Sequence, residues 1–274
     1  MATQAGPGTG KPTGVDAPGR AKIAARTLRT DNWRASPNYT ALILGFFILY
    51  TVVRLFMNTG YYVAQFHYLT PVYSPCISAS CVDGAADFGT WLPAMPAAVP
   101  LAILIIPILA GFRTTCYYYR KAGYRSLWMS PRACAVPEPH GRYTGETRFP
   151  LIVMNYHRYF FWLAAILLLV NTFDAVKAAI HHLGLGTLIM VVNVVMLWLY
   201  SVSCHACRHA VGGRINNFSK HPLRYKMWTV VSKLNPLHGN FAMASLTTVI
   251  LTDAYIMTLS LLADGGKNVL PGWL

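Results

Sequence analysis

Acidic residues are the scarcest feature of this chain: 9 Asp and Glu among 274 residues, against 23 Lys and Arg. All charged residues together make up 12%, about half the share of roughly 25% in ordinary soluble domains. That scarcity excludes a soluble globular domain. It also takes nucleic acid away as the partner of the +14 net charge, because 54% of the residues are hydrophobic and nucleic-acid binders present polar basic faces. No run of strictly alternating residues is long enough for the strands of a membrane β-barrel. No glycine fingerprint for a dinucleotide is present, and the polar first 39 residues hold no apolar core of a signal peptide.

What the chain does have is long apolar runs. A helix needs ~20 mostly apolar residues to cross a bilayer. Five stretches qualify, at about 39–64, 91–119, 150–176, 185–210 and 237–262. The expected fold class is therefore all-α: an integral membrane bundle of five transmembrane helices, multi-pass in the plasma (inner) membrane. A flexible basic tail is expected over 1–38, the anchor domain over 39–263, and a short external tail over 264–274.

The basic residues are sorted by side. Nineteen of the 23 fall in segments 1–39, 113–149 and 208–237, and the last of these holds no acid. Residues 65–90 hold Asp83 and Asp87 but no Lys or Arg, and the opposite-side ends add Lys177 and Lys267 alone. The positive-inside rule then places the N-terminus in the cytoplasm and the C-terminus outside. The charge is thus a topology signal first, and a docking surface for anionic headgroups and a soluble redox partner second.

Cysteine and histidine are sorted in the same way. Cys76 and Cys81, in SPCISASC, lie in the external loop, where a structural disulfide is expected. At the cytoplasmic ends of four helices stand Cys116, His157, Cys204 with Cys207, and His238. Cys204 and Cys207 share a helix face at i,i+3 spacing, and ligands on facing helices are how bundles build metal sites. Singly, each reads first as structural, a small buried group or a polar cap. Convergence from four helices is what points to a redox centre. Thiolate with imidazole admits zinc or a mixed-ligand iron–sulfur cluster, and imidazole from two helices admits haem b.

Ionisable residues inside the membrane are costly and usually have a function or a partner. Arg54 and Asp253 are expected to form a structural ion pair. Arg158, between Tyr156 and Tyr159, offers donors in an apolar setting, as a quinone headgroup requires. Snorkelling of Arg158 to the interface is the alternative.

Five spans, the His157–Arg158 pair and the run CRHAVGGR from Cys207 to Arg214 resemble the membrane-anchor subunit of succinate dehydrogenase, respiratory complex II, in its actinobacterial single-chain form. The resemblance covers about 39–263. It implies an anchor that docks the flavoprotein and iron–sulfur subunits on the cytoplasmic face and passes their electrons to a quinone, menaquinone in bacteria of this kind, within a complex that forms a higher oligomer. Many such anchors hold haem b, and Arg208–His209 is similar to the pair that follows a haem histidine. Here Val202 stands where that histidine is expected. We therefore expect a Rieske-type 2Fe–2S cluster in its place, with His157 and His238 as imidazole ligands. Cys204 and Cys207 are the first choice of thiolates, and Cys116 can replace either. The expected quinone residues are Tyr156, Arg158, Arg208 and His209, backed by Tyr119 and Trp228. The rival readings are a dihaem cytochrome b anchor of another oxidoreductase and a purely structural anchor without a cofactor. A transporter fits less well, because the polar residues gather at one interface rather than at the midplane.

Overall fold

The computed structural model describes residues 30–96, 98–129, 133, 134, 136, 146–149, 151–263 and 267–274. Of the expected tails, residues 1–29 and 264–266 lie outside the described residues, as does His140. The chain is mostly helical. Helix α1 (Ala35–Met57) ends at Asn58, whose φ of 51° is the left-handed turn that Asn tolerates at a helix C-terminus. A small hairpin follows, β1 (Tyr62–Val63) pairing antiparallel with β2 (Tyr68–Leu69). Next come α2 (Ile106–Thr114), α3 (Tyr117–Gly123), α4 (His157–His181) and α5 (Leu185–Val202). The chain closes with α6 (His205–Gly212), α7 (Pro222–Leu234) and α8 (His238–Leu262).

Four helices are long and apolar enough to cross a membrane: Ala35–Met57, Leu151–His181, Leu185–Val202 and Pro222–Leu262. A fifth crossing arises if Leu101–Thr114 and Tyr117–Trp128 count as one span bent by 73°. The second stretch thus differs from the straight helix expected over 91–119. Residues 93–100 hold Pro93, Pro96 and Pro100. These lack the N–H a helix interior needs, and helical structure starts only at Leu101. The fourth stretch also stops early, at Val202 rather than about 210.

Helix α5 packs against both α4 and α8. Small residues line the buried seams, among them Ala164, Ala175, Ala178, Ala242 and Ser245, which is how membrane helices approach closely. Large apolar side chains such as Leu49, Phe56, Ile166, Ile180 and Leu251 face outward, as lipid requires.

One end of the bundle is capped by residues 60–96, with Tyr61, Val63, Val72 and Tyr73 buried and the expected Cys76–Cys81 disulfide formed. The expected Arg54–Asp253 pair sits beneath this cap. Arg54 Nε donates to Asp253 at 2.6 Å, and its Nη2 donates to the other carboxylate oxygen at 3.2 Å. The remaining guanidinium donors reach the carbonyls of Thr59 and Gly60, and Tyr50 donates to the same carboxylate. The pair is fully buried and fully hydrogen-bonded, the condition under which a buried ion pair is tolerated.

Candidate redox site at the helix junctions

At the other end, the basic end, the chain breaks its helices in four places, and each break presents a ligand-type side chain. Cys116 stands between α2 and α3 with extended backbone (φ −62°, ψ 130°) and caps α3. Cys204 does the same between α5 and α6 (φ −67°, ψ 146°). His157 is the first residue of α4, after a 3₁₀ turn over Leu151–Tyr156. His238 is the first residue of α8, after a 3₁₀ turn over Asn235–Leu237.

These four residues come together. His157 Nε2 lies 3.2 Å from Cys204 Sγ, and His238 Nε2 lies 3.5 Å from Cys116 Sγ. Both cysteines are buried and unoxidised. All four line one cleft of about 350 Å³, together with Tyr117, Tyr118, His205, Asn235 and Asn240.

The imidazoles are held on their far sides. His157 Nδ1 is 3.0 Å from Thr115 Oγ1, and His238 Nδ1 is 2.9 Å from Ser203 Oγ. Each hydroxyl has one proton and spends it on a backbone carbonyl: Thr115 on Gly111 at 2.6 Å, Ser203 on Tyr200 at 3.1 Å. Each can therefore only accept from the histidine. This network assigns the proton to Nδ1 in both rings and turns the Nε2 lone pairs to the sulfurs. Hydrogen bonds of this kind set which nitrogen is free to bind a metal.

Aromatic rings fix the imidazole planes. His157 stacks on Phe112 at 5.0 Å and 7°, and His238 stacks on Tyr200 at 5.0 Å and 8°. Phe112 and Tyr200 touch each other at 5.3 Å, so one aromatic shelf supports both rings.

The structure does not bring every expected residue to this place. Cys207 is half-exposed on α6 and does not line the cleft. Cys204 is the N-cap of α6 and Cys207 its third residue, so the two stay neighbours in one turn, but of the pair only Cys204 lines the cleft. Cys116 joins the group instead. Among the expected quinone residues, Tyr119 is fully buried beside the group, donating to the Ala242 carbonyl at 2.6 Å. Tyr156, Arg158 and His209 are exposed, with Arg158 over the Tyr159 ring. Arg208 stacks on Trp228 at 5.0 Å, away from the cleft. Arg113 was missed altogether: counted as part of a surface segment, it is buried to 4% exposure. Its apolar neighbours in IPILAGFRT were the available signal.

Two thiols and two imidazoles with bare Nε2 atoms form a donor set suited to a soft or borderline metal group. Among the described residues, no three His, Cys, Asp or Glu side chains converge tightly enough to hold a single metal ion. The donors fall into two close Cys–His pairs.

Fold and site define a small helical membrane protein with a Cys2His2 set at one end of its bundle. The model of the actinobacterial succinate dehydrogenase subunit SdhC matches residues 35–262, and the chain belongs to that family. It is also similar to a chain in the solved structure of the Mycobacterium smegmatis Sdh1 complex in the apo form. The identity is 51%, the TM-score 0.84, and the match covers 95% of this chain and 98% of that one. Among curated proteins none matches.

Proposed function

We propose that this chain anchors the flavoprotein and iron–sulfur subunits of a succinate dehydrogenase at the cytoplasmic membrane face and serves delivery of their electrons to menaquinone. Cys116, Cys204, His157 and His238 are the proposed ligands of a Rieske-type 2Fe–2S cluster. The observation that carries this reading is the pairing of both Nε2 atoms with cysteine sulfurs at four helix junctions. Family membership and the likeness to the Sdh1 complex support the partners.

When bound, such a cluster supplies one-electron redox chemistry at a potential above that of an all-thiolate cluster. The protein's own part is preorganisation. Thr115 and Ser203 hold the tautomers, and Phe112 and Tyr200 hold the ring planes. A thiol beside each imidazole favours the cluster over haem b. The cleft, at about 350 Å³, is within the range of small-molecule pockets. Tyr117, Tyr118, His205, Asn235 and Asn240 offer polar groups there for a quinone headgroup.

The orientation proposed is N-terminus inside and C-terminus outside, with the basic end cytoplasmic. Lys121, Arg125, Lys220, Lys226 and Lys233 then face the soluble subunits.

The test is the purified complex reduced with dithionite. An EPR signal of a reduced 2Fe–2S centre, lost in Cys116→Ser, Cys204→Ser and His238→Ala, is expected in addition to those of the partner subunits. A sharp Soret band with no such signal would overturn the reading.

A further inference from the structure

Among the described residues two arginines are buried, and they differ in one respect. Arg54 has a carboxylate partner in Asp253. Arg113 has none: among the described residues no Asp or Glu pairs with it. Its Nη1 donates to Tyr119 Oη at 3.0 Å, Ser245 Oγ at 3.2 Å and the Ala242 carbonyl at 3.3 Å. The guanidinium lies over the rings of Tyr200 at 4.9 Å and Phe47 at 5.4 Å. Every one of these partners is neutral. A guanidinium does not give up its proton, and an unpaired buried cation is strongly disfavoured. Dipoles and ring faces are thus all that offset its charge among the described residues.

The nearest metal-ligating set is the Cys2His2 group. The Tyr200 ring lies against both the Arg113 guanidinium, at 4.9 Å, and the His238 ring, at 5.0 Å. Cys116 is three residues on, its N–H bonded to the Arg113 carbonyl at 3.1 Å.

We infer that Arg113 is the counter-charge of the group bound by Cys116, Cys204, His157 and His238 and that it raises that group's reduction potential. This rests on the ligand assignment proposed above. The charge balance gives the sign. Two ferric ions and two sulfides leave two positive charges, which two thiolates cancel, and neutral imidazoles add nothing. One electron from the iron–sulfur partner subunit therefore leaves one net negative charge. A fixed cation beside it favours the reduced state. Low dielectric strengthens the effect, since no water screens a buried pair.

The experiment is an EPR-monitored redox titration of the whole complex, comparing wild type with Arg113→Lys, Arg113→Gln and Ser245→Asp. Arg113→Gln removes the charge. Ser245→Asp keeps the arginine and neutralises it with a carboxylate at a position now 3.2 Å away. Both are expected to shift the one-electron equilibrium at least tenfold towards the oxidised state, ~59 mV downward. Arg113→Lys is expected to stay near wild type. Should Arg113→Gln fail to assemble, Ser245→Asp decides. An intact cluster signal at an unchanged potential in the neutralised variants overturns the inference, as does an equal shift in Arg113→Lys. Absence of any cluster signal in wild type overturns the ligand assignment instead.

Discussion

Ser203 Oγ and His238 Nδ1 lie 2.9 Å apart, and the hydroxyl's only proton is already committed to the Tyr200 carbonyl. The histidine is thereby fixed as an Nδ1–H donor with Nε2 bare towards Cys116. Thr115 does the same for His157 from an unrelated part of the chain. Ser203→Ala and Thr115→Ala should each leave Nδ1–H without its acceptor and free the tautomer. Losses of outer hydrogen bonds to ligands cost ~10–100-fold in metal affinity. The expected outcome is a lower iron and acid-labile sulfide content per complex, with assembly retained. Ser203→Thr, which keeps the hydroxyl, should load like wild type. Full loading in both alanine variants would remove the tautomer argument.

Cys116 and Cys207 are told apart by the cleft, which Cys116 lines and Cys207 does not. Cys207→Ser changes a half-exposed side chain on α6 that lies outside the cleft, and it should leave the EPR spectrum and the quinone reductase rate within a factor of about two. Cys116→Ser removes a buried sulfur that faces His238, and it should abolish the cluster signal. The reverse result, loss in Cys207→Ser and retention in Cys116→Ser, would make Cys204 and Cys207 the thiolate pair.

Much of this architecture is legible in the residues alone, and what is not legible has a physical reason. The apolar runs and the one-sided Lys and Arg identify a membrane bundle because lipid imposes both patterns strongly. Arg54 and Asp253 read as a pair because each is intolerable without a partner. The helix breaks at Cys116 and Cys204 do not show: TCYYY and SCHAC contain neither Pro nor Gly at the break. Their extended backbone comes from tertiary packing, not from local propensity. Hence the shared depth of Cys116, His157, Cys204 and His238 was readable and their partnering was not. Arg113 was hidden for a similar reason. Its charge looked like one more cytoplasmic cation, and only burial shows that it has no neutralising partner. Arg208, His209 and Trp228 lie on α6 and α7, which pack chiefly on each other, and none of the three lines the cleft.

The buried pair under the outer cap sets a stability prediction. Asp253→Asn would leave Arg54 charged, buried and short of its anion. Breaking a buried pair from one side costs ~3–5 kcal/mol. The complex in detergent is expected to show a clearly lower Tm, with loss of Tyr50 and Arg54 anchoring preceding loss of the cofactor signal. The double variant Arg54→Met with Asp253→Leu removes both charges and should recover most of the loss. An Asp253→Asn complex as stable as wild type would mean that the pair is redundant with the carbonyls of Thr59 and Gly60.

The cap formed by residues 60–96 should also respond to pH, through His67. Its ring stacks on His181 at 4.0 Å, and its Nδ1 accepts from Tyr62 Oη at 2.9 Å. Burial lowers its pKa, and the neighbouring His181 and Lys177 push in the same direction against the weaker pull of Asp87. The folded cap therefore binds this proton less well than the unfolded chain does. The stabilising contribution is complete above the ordinary histidine value of about 6.5 and is lost as pH falls below it. Hydrogen exchange of the 60–70 backbone is the direct measurement, with faster exchange expected at pH 5.5 than at pH 7.5 after correction for the intrinsic rate. His67→Asn removes the titrating ring and, as an Asn, accepts the backbone φ of 55° found there. It should flatten the pH dependence while leaving the hairpin formed, and an unchanged slope in that variant would assign the titration to another group in the cap.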